Sequence, residues 1–495
     1  MKIIIIFLYC SLFALNATGQ NNFLPALEKI NNANPRNVIF ILIDDQRYDF
    51  MGFTGKVPWL ETPNMDRLAA EGAYFTNAFV TTSLCSPSRA SILTGLYSHT
   101  HTIVDNQAPA PDNLTYFPQY LQAIGYQTAF FGKWHMGSHT DAPQPGFNHW
   151  ESFRGQGVYY NPILNINGEH IAYKDSTYVT DLLTEHMLKW LEERNKNKPF
   201  FAYLSHKAVH GAYLPAPRHR GKYANKKIPF PKTYDQTKTG EYRNLKWPEW
   251  VAQQRISWHG VDYMYNGNNN LDDMVQAYCE LLLSVDESLG AVMGFLEKEG
   301  LDQSTILIFM GDNGFSWGEH GLIDKRHFYE ESVKVPFLMR CPDLFKGGQT
   351  ITKMVQNIDV APTILESAGL KKPDYMPGES IIKLLNDEKI TWRDRIFYEY
   401  YWEYNFPMTP TVFGIRTDKY KYIFYHGIWD RNEFYDIQND PDEMYNLIEE
   451  PELQSKIKEL KNELFQWMKS TDGMKIPLKK NSGYRNWDYR HQNQY

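Results

Sequence analysis

The chain has 495 residues, 42% hydrophobic and 22% charged, an ordinary globular composition that excludes a disordered polypeptide. Its 51 Lys and Arg against 58 Asp and Glu leave a formal charge of −7, which excludes a nucleic-acid binder. A mean hydropathy of −0.52 excludes a polytopic membrane protein, and an aromatic content of 15% favours surfaces that grip rings or sugars.

Lys2, the apolar run Ile3 to Phe13 and the small-x-small triplet Ala17-Thr18-Gly19 read as a secretory signal peptide over residues 1–19. The mature chain then starts at Gln20 and is exported, periplasmic or secreted. Cys10 leaves with the leader, so Cys85, Cys279 and Cys341 remain, an odd number for an oxidising compartment. Cys279 and Cys341 sit in apolar contexts and read as buried thiols or one disulfide. No later segment reaches the roughly 18 apolar residues of a membrane span.

Four short apolar runs each end in a polar cluster. Val38 to Ile43 ends in Asp44-Asp45, and Thr128 to Phe131 in Gly132-Lys133-Trp134-His135. Phe200 to Leu204 ends in Ser205-His206-Lys207 with His210 beyond, and Ile306 to Met310 in Gly311-Asp312-Asn313-Gly314. Continuous apolar runs of this length fit strands buried on both faces. Helical patterns fall between them, over 64–71, 88–96, 180–193 and 274–299. The alternation predicts a doubly wound α/β catalytic domain over 20–380, with its ligand outside the carboxyl ends of the strands.

An insertion at about 213–270 interrupts this domain. Within it Arg218 to Arg255 holds ten Lys or Arg against three acids, interleaved with Tyr223, Tyr234, Tyr242, Trp247 and Trp250. That mixture suggests a sulfated or carboxylated sugar polymer as ligand, the alternative being a solvated loop. Over 381–495 the pattern changes to short strands (395–401, 412–416, 420–425). Leu453, Ile457, Leu460 and Leu464 then recur at helical spacing, which predicts a smaller C-terminal α+β subdomain of antiparallel sheet plus helix. The tail Lys475 to Tyr495 either folds back or is disordered.

Two strand ends carry the oxygen donors Asp44, Asp45, Asp312 and Asn313, a hard set that selects Ca²⁺ or Mg²⁺ over zinc. Cys85-Ser86-Pro87-Ser88-Arg89 precedes a helical run, with Pro87 suited to the first helical position. A helix N-terminus suits an anionic ester and lowers a thiol's pKa, so Cys85 reads as a nucleophile at an anion site or as a structural cysteine. Lys133, His135, His210 and Lys325 add cations and proton carriers.

Cys85-Ser86-Pro87-Ser88-Arg89-Ala90, continuing to Leu93-Thr94-Gly95, resembles the signature of the type I sulfatases. The other clusters, with Lys325, are similar to that family's remaining motifs in the same order, from Arg36 to Leu447 and including Asn439-Asp440-Pro441 with Glu443. The resemblance implies an alkaline-phosphatase-like mixed sheet between helices. It also implies that a maturation enzyme oxidises Cys85 to formylglycine, whose hydrate is the nucleophile. One Ca²⁺ would be held by Asp44, Asp45, residue 85, Asp312 and Asn313. Arg89 would hold the hydrate, Lys133 and Lys325 the sulfate oxygens, His135 would act as base and His210 as the acid that protonates the leaving alcohol.

Tyr97-Ser98-His99-Thr100-His101, Tyr159-Tyr160-Asn161-Pro162 and Ser205-His206-Lys207-Ala208-Val209-His210-Gly211 look like the glucosamine-6-sulfatase branch, with Val209 where that branch commonly has Pro. His99, His101 and His206 either line a substrate pocket or pack, and His320 stands outside the inner ring. The expected substrate is a sulfated oligo- or polysaccharide, ulvan and glycosaminoglycans both being open. The alternatives are a phosphatase or phosphodiesterase of the alkaline phosphatase superfamily and a glycan-binding protein on a degenerate scaffold. The first would use Ser or Thr and two zinc ions, and the second would lack a catalytic group; neither fits Cys85, Asn313 and the full set of motifs.

Overall fold

The computed structural model describes residues 24–477, apart from 138–139, 268, 387–388 and 428–429. The expected leader at 1–19 and most of the tail lie outside the described residues. Ten strands form one sheet in the order Gln349–Ile351, Ala73–Phe75, Phe337–Arg340, Ile306–Gly311, Val38–Ile43, Phe200–Ser205, Gln127–Lys133, His149–Phe153, Ile163–Ile166, Glu169–Ala172. The five from Ile306–Gly311 to His149–Phe153 are mutually parallel. Antiparallel strands flank them on both sides, which makes the sheet mixed.

All six residues of Val38–Ile43 are buried, and the strand's period of two divides them between two cores. Val38, Phe40 and Leu42 face the layer holding the Cys85–Thr94, Phe117–Ala123 and Val360–Ser367 helices. Ile39, Ile41 and Ile43 face the layer of Pro63–Glu71, Val179–Glu193 and Leu271–Lys298. The last of these spans 28 residues and starts where the Asn270 side chain accepts from the amides of Asp272 and Asp273 at 2.9 and 3.3 Å. Cys279 belongs to this second core and Cys341 to the first, on opposite faces of the sheet, so both are buried free thiols and the disulfide reading is excluded.

A second sheet of four antiparallel strands runs Arg395–Tyr400, Thr411–Thr417, Tyr420–His426, Glu433–Asp436. The Gln454–Ser470 helix covers one face, packing Ile457, Leu460, Leu464 and Met468 on Phe413, Ile415, Tyr422 and Phe434. The other face, with Tyr398, Val412 and Ile423, merges with the main core. Buried ion pairs reinforce that seam: Glu330 meets Arg416 and Lys421, and Lys421 meets Glu443 of the Asn439–Glu443 turn.

Most of the insertion's rings pack inward, while Tyr234 is half-buried and stacks on exposed Phe230 at 4.4 Å. Tyr223, Tyr242, Trp247 and Trp250 are buried, and Trp247 Nε1 donates to the Met444 carbonyl at 2.8 Å. Arg218, Lys222 and Lys246 are paired with Asp181 and Glu287, with Glu61 and with Glu450. Rings this large gain more from burial than from exposure, and their cationic neighbours find acids on adjoining elements.

Candidate active site

The carboxyl ends of the parallel strands converge. Asp44 and Asp45 follow Ile43, Asp312 and Asn313 follow Gly311, Lys133 ends its strand, and Ile43 lies beside Gly311 in register. The Asp45 amide donates to Asp312 Oδ1 at 3.0 Å, which ties the two acidic turns together. Cys85 opens the Cys85–Thr94 helix and is fully buried. The helix starts three residues before the expected 88, so Pro87 is its third residue. Its ring is tolerated there because first-turn amides have no partner within the helix. Cys85 Sγ lies 3.4 Å from Asp44 Oδ1 and 4.0 Å from Asp45 Oδ1. A lowered thiol pKa is overturned: burial pushes the thiol well up, outweighing Lys133 and Lys325.

Three carboxylates and three cations interleave here. Arg89 Nε donates to Asp312 Oδ2 at 2.9 Å, and Nη2 lies 2.8 Å from the same oxygen and 3.6 Å from Asp44. Its Nη1 donates to the Lys133 carbonyl and to Ser205 Oγ, both at 2.7 Å. Lys133 Nζ contacts Asp44 and Lys325 Nζ contacts Asp45. Burial opposes ionising Asp44, but Lys133, Arg89 and Lys325 hold it well below the usual carboxylate range. Burial pushes Asp45 up against Lys325, and with Asp44 it takes Asp312 up to about 7. The six formal charges cancel, so a divalent cation would leave the site positive and ready for an anion.

The donor set fits such a cation. Asn313 Nδ2 donates to Asp45 Oδ1 at 2.8 Å and to the Gly314 carbonyl at 2.9 Å. Its Oδ1 is left buried without a hydrogen-bond partner, as an oxygen kept for a metal would be. Asp44, Asp45 and Cys85 present ligand atoms within 4.8 Å of one another.

Burial drives both His135 and His210 well below the ordinary imidazole value, so each is neutral in the resting site. His210 Nδ1 donates to the Gly211 carbonyl at 2.6 Å, which leaves Nε2 facing Asp45 Oδ2 at 3.7 Å. Asp45 (φ 61°), His135 (φ 57°), Asp324 (φ 74°) and Arg326 (φ 90°) adopt left-handed backbone here.

The other histidines singled out in the sequence pack. His99 bonds Glu399 at 2.8 Å, His101 bonds Ser91 Oγ at 3.2 Å and His206 bonds Ser288 Oγ at 3.0 Å. His320 stacks on Tyr329 at 3.9 Å.

The sequence assigns no role to several residues at the site, Tyr159 and Lys207 being named only within motifs. Gln156 contacts Lys133 Nζ; Tyr159 donates to the His210 carbonyl at 2.6 Å. Lys207 lies over the Tyr159 ring at 4.9 Å, with burial pushing its ammonium down to about 7. The cavity above Asp45, His135, His210 and Lys325 is walled by Tyr265, Arg326, Glu403 and Phe406. Arg326 is paired to Asp324 and Glu403 at 2.8 Å each. Glu403 and Phe406 come from the C-terminal part, about 80 residues downstream, and no local motif marks them.

Residues 36–370 match the sulfatase family, and residues 318–470 match the C-terminal region of N-sulphoglucosamine sulphohydrolase. The chain belongs to the sulfatase family. It is 34% identical to the N-acetylglucosamine-6-O-sulfatase of Bacteroides thetaiotaomicron over 88% of each chain. It is 31% identical to the human N-acetylglucosamine-6-sulfatase, over 76% of this chain and 69% of that one. A solved structure in complex with its substrate D-glucosamine-2-N,6-O-disulfate superposes with a TM-score of 0.82 at 31% identity, covering 90% of this chain and all of that one. The phosphonate monoester hydrolase of Agrobacterium radiobacter shares the fold alone, at TM-score 0.72 and 21% identity over 88% of this chain and 96% of that one. This sulfatase is thus a sulfuric ester hydrolase.

Proposed function

We propose that this sulfatase is exported and calcium-dependent, and that it removes the 6-O-sulfate of a glucosamine unit in a glycosaminoglycan-type oligosaccharide or polysaccharide through formylglycine at position 85. The observation that carries the sugar is its likeness to glucosamine-6-sulfatases along most of its length, together with the similar structure that holds a glucosamine disulfate. Export is supported by the apolar run Ile3 to Phe13 and the small-x-small triplet Ala17-Thr18-Gly19. The reading requires an enzyme that converts Cys85.

Asp44, Asp45, Asp312, Asn313 and residue 85 would hold the calcium, which supplies a fixed positive charge that polarises the ester. As its hydrate, formylglycine supplies the hydroxyl nucleophile that a buried thiol of raised pKa does not. Arg89, anchored at four points, orients residue 85 one helical turn before it. Lys133 and Lys325 exchange part of their contact with Asp44 and Asp45 for sulfate oxygens, a charge arrangement made before reaction. His135, neutral at rest, takes a proton at residue 85. His210 is also neutral at rest; the negative ester arriving beside Nε2 favours its imidazolium, which then protonates the departing sugar oxygen. Tyr159 and the Gly211 carbonyl keep that ring aimed.

Peptide mass spectrometry at residue 85, paired with sulfate release from 6-sulfated N-acetylglucosamine and from ulvan oligosaccharides, tests the reading. Formylglycine with release from the glucosamine ester is expected. Release from a preparation holding only Cys85 overturns the nucleophile, and release from ulvan alone overturns the sugar.

A further inference from the structure

We propose that the groove beside Gln156 is a second sugar subsite, which takes an anionic sugar adjoining the one that carries the scissile sulfate; this rests on the glycan reading above. Gln156 lines both the active-site cavity and this groove, so the two are continuous across one side chain. Another wall of the cavity carries buried Arg326, locked to Glu403 and stacked over Phe406 at 4.1 Å. A glycan longer than one unit has a continuous path over Gln156 into the groove.

The groove's surface suits what would arrive there. The loop after the His149–Phe153 strand turns tightly through Gly155 (φ 54°) and Gly157 (φ 65°), and a Cβ at Gly157 would sit 2.4 Å from the Phe153 ring. Val158 beyond this turn and Ile163 at the start of the Ile163–Ile166 strand, 43% and 57% exposed, give the groove an apolar floor for a sugar face. Arg154 and His170 stand over that floor, both facing buried Asp141, which accepts His170 Nε2 at 3.1 Å. Arg154 Nε lies 3.7 Å from the same carboxylate, beyond hydrogen-bond reach, and its side chain is 67% exposed. The guanidinium is held over the groove while its fork still faces solvent, a geometry that matches a carboxylate or a sulfate.

The test compares kcat/KM for four substrates: 6-sulfated N-acetylglucosamine alone, and the same sugar joined to galactose, to a hexuronic acid, or to a sulfated galactose. An acidic neighbour of either kind is expected to raise kcat/KM about tenfold over galactose, the size of one charged hydrogen bond; the last two substrates distinguish carboxylate from sulfate. In Arg154→Ala the acidic-to-neutral ratio should fall to about one, with Arg154→Lys between, and a thermal melt should show both variants folded. Equal rates with acidic and neutral neighbours, or a ratio that Arg154→Ala leaves unchanged, overturn the subsite alone. No release from any of the four by protein converted at residue 85 overturns the glycan reading and the subsite with it.

Discussion

Replacing Arg89 with Met removes the cation that buried Asp312 most depends on. Arg89 is 1% exposed and makes four short contacts: two to Asp312 at 2.9 and 2.8 Å and one each to the Lys133 carbonyl and Ser205 Oγ at 2.7 Å. Methionine fills most of the volume but strands Asp312, so the expected loss is about 3–5 kcal/mol, the cost of breaking a buried pair. The assay is urea unfolding of wild type and Arg89→Met with a chelator present, so that no metal compensates. The sign of the pH dependence follows from Asp312, whose carboxyl is already pushed up to about 7 by burial and by Asp44, against the pull of Arg89. Without Arg89 it rises further. A group whose folded pKa lies above its unfolded value contributes fully at low pH and loses that contribution as pH climbs through the folded value. The deficit is therefore larger at about pH 8 than at about pH 5.5. A loss below about 1 kcal/mol, the worth of an exposed pair, or a deficit that shrinks with rising pH would refute the reasoning.

His210→Ala should slow sugar sulfates by about 10²–10⁴ and aryl sulfates, whose leaving groups need no proton, far less; equal losses on both remove His210 from the acid role. A thiol titration of unfolded protein lacking the leader should count two groups when residue 85 is converted, since Cys279 and Cys341 are free, and reductant should leave the melting temperature of the native protein unmoved. The His99–Glu399 bond holds the ring that packs on Trp467 of the last helix. Burial opposes charging His99, but Glu399 outweighs it and raises the imidazole above its ordinary value. That contribution is complete below the unfolded value and fades as pH rises through the folded one. His99→Gln should therefore destabilise more in mild acid than in mild alkali, as read by thermal melts; the reverse order would show that the pair is not charged. Chelation should lower the melting temperature and added Ca²⁺ restore it, with about 2.7 kcal/mol regained at a hundredfold excess over Kd; a melt indifferent to both excludes the metal site.

Much of this protein is written locally. The runs Val38–Ile43, Phe200–Ser205 and Ile306–Gly311 declare buried parallel strands because both of their faces must be apolar. The polar residues at their ends are necessarily brought to one edge by that topology, which is why Asp44, Asp45, Lys133, His210, Asp312 and Asn313 could be named before any coordinates. Residues whose roles depend on burial could not be. The Cys85 thiol is raised because the helix start that would acidify it in water lies in the core, and the aromatic insertion turned inward because no local pattern records what covers a ring. Gln156, Glu403 and Phe406 reach the site from turns whose residues suit any loop. Spacing alone marked the central buried strands and the polar residues at their ends, and the resemblance added the family motifs and the mixed sheet. Only the tertiary structure decided which charges meet and which walls close, since desolvation and Coulomb energies depend on distances that the chain sets only once it is folded.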